Sequence, residues 1–166
     1  MIETPRLLLR ELSATDDKFI LALMNEPGYL QHIGDRGIRT LEDARSYIRD
    51  KFTASYAAFG YGLYLVELKE KRAPVGICGL VKRDIFEHPD IGFAFLQEYW
   101  SRGLAFEAAS AALHHGFDVL GLTTVLGITS PTNRSAIRLL EKLGLRYQKT
   151  VRVPSVDHDS MLFSIP

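Results

Sequence analysis

The stretch Trp100–Phe106 combines residue types that suit the binding of an anion. It follows a candidate strand at Asp90–Leu96 and leads into an alanine-rich candidate helix at Leu104–Leu120. Gly103, at the start of that helix, lets the backbone approach a ligand closely. The first N–H groups of a helix have no partner within it and carry partial positive charge, to which Arg102 adds a full charge. The stretch therefore suits a phosphate or a pyrophosphate, and the alternative is a helix start that binds nothing, as many helices that begin at a glycine do.

Other reactive side chains lack the spacing that nucleophilic or metal chemistry requires. Cys78 lies in an apolar candidate strand, which favours a packing role over a nucleophilic one. The adjacent His114 and His115 point about 100° apart on a helix, unlike two metal-binding histidines on one helix face. Glu107 lies one turn into its helix, where its negative charge interacts favourably with the helix dipole and its oxygens can accept hydrogen bonds from nearby backbone. We therefore expect neither a cysteine nucleophile nor a bound metal.

Hydrophobic periodicity and capping residues predict the element order β, α, α, β, β, β, α, β, α, β, β. Thr40 and Asp43 form a capping signal before one helix. Tyr29–Arg39 has the pattern of an irregular loop, which is either an ordinary surface loop or a lid over a bound ligand. The polar stretch Lys69–Arg72 joins two apolar runs as a hairpin. The two strands that flank the helix at Leu104–Leu120 require a parallel pair. The expected fold is therefore a mixed α/β sheet with helices on its faces.

The composition is that of one ordinary globular domain spanning residues 1–166. The chain is 46% hydrophobic and has 20 basic and 20 acidic residues, so no charge excess favours a nucleic-acid partner. No apolar run approaches the ~20 residues that cross a bilayer, and one cysteine excludes an internal disulfide. Met1–Arg10 places three leucines between two arginines, too short a run for a signal peptide. We expect a reduced, cytoplasmic protein that is not bound to a membrane.

Four stretches, in matching order and spacing, resemble the GCN5-related N-acetyltransferase (GNAT) family. Trp100–Ala108 resembles its pyrophosphate loop, Thr4–Arg10 its opening strand, Asp90–Phe93 the strand before the loop, and Pro131–Leu145 its last conserved helix. The similarity is closest to the branch of ribosomal-protein N-terminal acetyltransferases (RimJ/RimL-type) and covers essentially the whole chain. It implies a mostly antiparallel, twisted sheet of about six or seven strands, about four helices, and a splayed pair of parallel strands.

The resemblance implies that acetyl-CoA is the co-substrate and binds where strands Asp90–Leu96 and Thr124–Thr129 splay apart. It assigns the pyrophosphate to the loop residues Ser101, Arg102, Gly103, Leu104, Ala105 and Phe106. It assigns the pantetheine arm to the backbone of Ala94, Phe95 and Leu96, with an N–H near Phe95 directed at the thioester oxygen. Asn133 is expected to touch the pantetheine or CoA, although its position equally suits a helix N-cap.

The implied reaction is direct attack of a primary amine on the thioester, which needs a base for the amine and an acid for the thiolate. Asp90 is the base we favour, with Glu87 and His88 beside it and an ordered water as the alternative. The family's tyrosine acid, seven residues after the asparagine, is Leu140 here, which leaves Ser135 as the candidate acid. Ser135 equally suits backbone bonding in the first helical turn, and Asp90 equally suits an ordinary strand-end charge.

Three kinds of acceptor for the acetyl group are compatible with the sequence: a protein or peptide N-terminus, a small amine and an aminoglycoside. A polycationic aminoglycoside would need clustered carboxylates, for which Glu87, Asp90, Asp157 and Asp159 are candidates. Because the tyrosine acid is missing, a non-catalytic CoA-binding sensor is the alternative function, and a nucleotide-binding protein is a third. Family members are often monomers or dimers, so we expect a monomer or a homodimer.

Overall fold

The centre of the molecule is a single sheet, which the computed structural model describes within residues 1–154 and 156–166. Its strands are β1 (Ile2–Glu3), β2 (Leu7–Arg10), β3 (Leu63–Leu68), β4 (Ala73–Val81), β5 (Asp90–Phe95), β6 (Val125–Thr129), β7 (Arg146–Arg152) and β8 (Asp159–Ile165). Their order is β1-β2-β3-β4-β5-β6-β8-β7, and β5–β6 is the parallel pair among antiparallel neighbours. The predicted mixed, mostly antiparallel sheet is confirmed. The additional strand is β1, which is too short for alternation to reveal.

Helices cover both faces of this sheet. They are α1 (Asp17–Met24), α2 (Pro27–His32), α3 (Leu41–Tyr47), α4 (Ala54–Phe59), α5 (Leu104–Asp118) and α6 (Arg134–Lys142). A π-helical turn at Ile48–Thr53 joins α3 to α4, so residues 41–59 are helical throughout. Among residues 1–154 and 156–166, no helix is long and apolar enough to cross a membrane.

The segment predicted as a loop at Tyr29–Arg39 begins instead inside a helix. The sequence Asn25–Gly28 reads as a helix stop, and α1 does end at Met24, but Pro27 then starts α2. Proline is favoured at the first helical position because its missing N–H would have no partner there. The prediction was therefore wrong for α2, whereas residues 33–40 lie outside helices and strands.

Two apolar clusters hold the helices against opposite faces of the sheet. One cluster packs α5 and α6 on the sheet through Leu104, Ala108, Ala112 and Leu140. The other packs α1, α3 and the π-helical turn, and its buried members include Ile20, Leu23, Ala44, Ile48 and Phe52. Small alanine side chains bring α5 close to β4 and β5, the strands it covers. The start of α5 is thereby fixed beside the end of β5.

Candidate active site

Strands β5 and β6 pair at one position and then part. Asp90 is opposite Leu126, and the N–H of Leu126 donates to the carbonyl of Pro89 at 2.8 Å. On its other side β5 stays paired with β4 along its whole length. The edge of β5 beyond Asp90 therefore faces a cleft, with backbone groups that an extended ligand can pair with.

Alternation along β5 decides which backbone groups face the cleft. The N–H of Leu96 donates to the carbonyl of Val75 in β4 at 2.9 Å, so even-numbered positions of β5 point their N–H and C=O groups at β4. The odd-numbered Phe93 and Phe95 consequently point theirs at the cleft. The predicted backbone contacts of Ala94 and Leu96 are therefore wrong in direction. The predicted N–H near Phe95 does face the cleft.

The loop after β5 has a strained backbone that ends in an open helix N-terminus. It contains a short 3-10 turn at Gln97–Tyr99, and Ser101 and Gly103 have φ values of 62° and 77°. Gly103 adopts this left-handed conformation without the steric cost that Ser101 bears. The N–H of Glu107 donates to the carbonyl of Gly103 at 3.1 Å, which leaves the preceding N–H groups outside the helical ladder. These are the N–H groups expected from the sequence to bind an anion.

The start of α2 supports this loop from one side. The N–H of Gln97 donates to Oε1 of Glu26 at 2.8 Å, and Nε1 of Trp100 donates to the carbonyl of Phe95 at 2.8 Å. The Trp100 ring lies so close to Gly28 that a Cβ there would be 2.6 Å from it. No sequence signal pointed to Glu26 or Gly28, because their partners are about 70 residues away.

The opening segment of the chain supports the loop from the other side. Glu107 accepts hydrogen bonds from the Thr4 hydroxyl at 2.5 Å, the Arg6 N–H at 2.9 Å and the Arg6 Nε at 2.7 Å. Nη1 of Arg6 donates to the carbonyl of Arg102 at 3.0 Å. Burial raises the pKa of Glu107, but these hydrogen bonds outweigh it and leave the pKa below its ordinary value. Glu107 does bond backbone, but its partners lie about 100 residues away.

Asp90, the favoured base, lies at the closed end of the cleft. It is 3% exposed, and Nε of Arg83 contacts its Oδ1 at 2.9 Å. Burial raises the pKa of Asp90 to about 6, although Arg83 opposes the shift. At the usual strand rise, Asp90 is about 16 Å along β5 from Phe95. Its titration suits a base at neutral pH, but it would reach an amine only near the point where the strands part.

Asn133 and Ser135 lie at the start of α6, beside the end of β6. Oδ1 of Asn133 accepts the N–H of Ala136 at 3.2 Å, so its N-cap role is confirmed and its role toward CoA stays a prediction. Ser135 is exposed in the first turn. Leu140, at the position of the family tyrosine, is 1% exposed and lies against Gly127. It fills the core instead of offering a polar group.

Two cations lie above aromatic rings near the open helix N-terminus. The Lys142 ammonium is 4.3 Å from the ring centroid of Phe106, in the first turn of α5. The Arg102 guanidinium is 5.3 Å from the ring centroid of Tyr99. Both contacts hold positive charge beside N–H groups that carry partial positive charge. The surroundings of the loop therefore favour an anion with several charges.

The carboxylates proposed for an aminoglycoside do not form one cluster. Asp90 is opposite Leu126, which pairs with Ser164, whereas Asp159 begins β8 and contacts Arg152 at 3.4 Å. Asp90 and Asp159 are therefore at opposite ends of the strands. Within residues 1–154 and 156–166, no three His, Cys, Asp or Glu residues are grouped to hold a metal. Cys78 is fully buried, and burial raises the pKa of its thiol, which keeps the thiol protonated and suits packing rather than nucleophilic attack.

Comparison with known proteins gives one consistent result. The sequence model of the acetyltransferase (GNAT) domain matches residues 6–146. The uncharacterized N-acetyltransferase YoaA of Bacillus subtilis is 27% identical over 155 residues, which cover 92% of this chain and 86% of YoaA. An acetyltransferase structure from Agrobacterium tumefaciens is 25% identical with a TM-score of 0.83, covering 99% of this chain and 93% of that one. RimL, an alpha-N-protein acetyltransferase solved with coenzyme A, shares the fold at 13% identity and a TM-score of 0.83, covering 98% and 94% of the two chains.

Proposed function

The chain belongs to the GNAT acetyltransferase domain family and is an acetyltransferase; on that premise we propose that it moves the acetyl group of acetyl-CoA to a primary amine. The observation that carries this proposal is the cleft where β5 and β6 part after one paired position, beside the open N-terminus of α5. The cleft offers unpaired strand backbone for the pantetheine arm, and the helix N-terminus offers N–H groups for the pyrophosphate.

The chemical step is direct transfer in this cleft. The amine nitrogen attacks the thioester carbon and forms a bond to it. The C–S bond then breaks, so the acetyl group stays on the amine as an amide and CoA leaves as a thiolate. The N–H of Phe95 or Phe93 stabilises the oxyanion, a contribution that is typically about 3 kcal/mol. Asp90 lies about 10 Å along β5 from Phe93 and about 16 Å from Phe95, so it takes the amine proton through a chain of water molecules. Ser135 or water returns a proton to the thiolate. The raised pKa of Asp90, about 6, supports the first of these roles.

For the acceptor we propose an α-amino group or another amine that is easily deprotonated. An α-amino group has a pKa of about 7.7–8.0, against about 10.4 for lysine, so it is partly neutral at pH 7. The favoured base, Asp90, has a modest pKa, and a buried leucine occupies the tyrosine position, which favours the less demanding amine. The separation of Asp90 from Asp159 gives no support to an aminoglycoside.

Calorimetric titration with acetyl-CoA and CoA, followed by thiol release with a panel of amines, tests the proposal. We expect micromolar binding of both ligands and turnover that is fastest with peptide N-termini or small amines of low pKa. Absence of CoA binding would refute the donor, and stronger binding of ATP would favour a nucleotide-binding protein. Binding without thiol release from any amine would contradict catalysis and favour the sensor.

A further inference from the structure

The peptide bond between Arg102 and Gly103 has its orientation fixed by a residue at the other end of the chain. Nη1 of Arg6 donates to the carbonyl of Arg102 at 3.0 Å. In a trans peptide the C=O and the following N–H point in opposite directions, and the described residues contain no cis peptide. The N–H of Gly103 therefore points away from Arg6. Arg6 therefore lies on one side of the loop, and the N–H of Gly103 points to the other side.

Arg6 is itself held by contacts that leave its guanidinium little freedom. Its Nε and backbone N–H both bond the carboxylate of Glu107, and the hydroxyl of Thr4 bonds that carboxylate as well. Glu107 balances the charge of Arg6, so Arg6 is poorly suited to bind phosphate directly. A Cβ on Gly103 would lie 3.5 Å from Nη2 of Arg6, which places the guanidinium directly beneath the loop.

We propose that Arg6 is a positioning residue for the pyrophosphate of acetyl-CoA. By holding the Arg102 carbonyl on the far side of the loop, it aims the N–H of Gly103 into the anion site. Rotation of this peptide would turn the carbonyl oxygen toward the phosphates and replace attraction by repulsion. Ser101, a residue other than glycine with a φ of 62°, has a costly backbone conformation that contacts such as this one help to hold. This inference rests on the proposed use of acetyl-CoA.

The test is titration of 15N-labelled protein with CoA and with pantetheine, which lacks the pyrophosphate, followed by NMR. In the wild type, CoA is expected to shift the Gly103 amide proton downfield, and pantetheine is not. In Arg6→Ala we expect CoA to leave the Gly103 amide proton unshifted. We also expect CoA to bind about tenfold more weakly, because the loss of a hydrogen bond from a charged donor typically has an effect of this size. The ratio of the CoA to the pantetheine affinity should fall by the same factor.

Arg45→Ala is the matched control. Arg45 contacts Asp17 at 2.7 Å and is 47% exposed, close to the 2.7 Å contact and 49% exposure of Arg6, but it lies away from the loop. Arg6→Lys is the second variant, because lysine can pair with Glu107 yet cannot also reach the Arg102 carbonyl in the same geometry. It is expected to keep the melting temperature and to lose the Gly103 shift.

Two results would overturn the inference. One is an unchanged Gly103 shift in Arg6→Lys, and the other is an equal weakening of CoA and pantetheine, as a merely structural role would give. Failure of the wild type to bind CoA would instead refute the proposed function, and the inference with it. If Arg6→Ala does not fold, Arg6→Lys alone decides between these outcomes.

Discussion

Asp90 and Glu107 carry the same chemical group, yet their surroundings move their pKa values in opposite directions. Asp90 is almost fully buried with Arg83 as its ion-pair partner, and burial raises its pKa to about 6. Glu107 is also partly buried, but hydrogen bonds from Thr4 and Arg6 outweigh that burial and lower its pKa. Asp90 can therefore exchange a proton near neutral pH, whereas Glu107 stays charged. The first suits proton transfer and the second suits a fixed anchor.

Asp90→Asn should change how stability depends on pH. The folded pKa of about 6 lies above the unfolded value of about 3.9, so the stability associated with the protonated carboxyl is present below pH ~4 and is lost by pH ~6. The loss amounts to about 2–3 kcal/mol. Denaturant unfolding at pH 4 to 8 should show that the variant lacks this decline. Equal slopes in wild type and variant would contradict the raised pKa.

The same variant separates a catalytic Asp90 from a structural one. If Asp90 accepts the amine proton, kcat/KM of the wild type falls below pH ~6, and Asp90→Asn removes both the activity and that limb. Asp159→Asn is the control, because Asp159 is an exposed carboxylate paired with Arg152. Normal activity in Asp90→Asn would show that water or another residue accepts the amine proton.

At the scale of elements, α2 and the loop after β5 form one unit although the sequence separates them. Glu26 bonds the N–H of Gln97, and Trp100 occupies the space beside Gly28. Local patterns predicted Arg102 and Gly103, because a glycine and a cation at a helix start are adjacent in the chain. They could not predict the partners of these residues, because contacts across 70 to 100 residues leave no local periodicity. The opening motif was visible in the sequence, but its contact with Glu107 was not.

Gly28→Ala is predicted to displace Trp100 and weaken CoA binding. The new Cβ would lie 2.6 Å from the indole ring, which must swing outward and release the carbonyl of Phe95. Trp100 is the one tryptophan of the chain, so its fluorescence emission reports the change directly and should move to the red. Gly92→Ala is the control for the emission, since its Cβ would meet methyl groups of Leu63 and Val81 and not the indole. Unchanged emission in Gly28→Ala would contradict the contact.

At the scale of the whole molecule, the fold was the most predictable feature. The least predictable feature was which backbone N–H and C=O groups of β5 face the cleft. The family motifs span the chain, so the sheet type and the parallel pair followed from them. The binding of pyrophosphate by the loop stays a prediction. The error at Ala94 and Leu96 arose because motif matching gives the strand but not its register. A shift of one residue turns every backbone group to the other edge. Only the pairing with β4 and β6 fixes that choice.

Because positive and negative charges balance over the molecule, cations close to the cleft should determine how strongly it attracts the anionic acetyl-CoA. The chain has zero formal net charge, so attraction of CoA to the cleft depends on how charge is distributed around it. Lys142, held over Phe106 at the open end of α5, is a nearby cation from outside the loop, and unlike Arg6 it is not engaged by Glu107. We therefore predict that Lys142→Ala weakens CoA binding about two- to fivefold at low salt, the range of a solvent-exposed ion pair.

Salt dependence and a second ligand sharpen this prediction. The loss in Lys142→Ala should shrink as ionic strength rises toward 1 M, where the screening length falls to about 3 Å. Lys149→Ala removes an equal charge from the exposed strand β7 and should leave CoA binding unchanged. Dephospho-CoA identifies the contact: if the variant binds it as the wild type does, Lys142 faces the 3′-phosphate, and if both ligands weaken equally, it faces the pyrophosphate. Wild-type affinity for CoA at low salt would show that Lys142 contacts neither, and that the backbone N–H groups and Arg102 alone attract the donor.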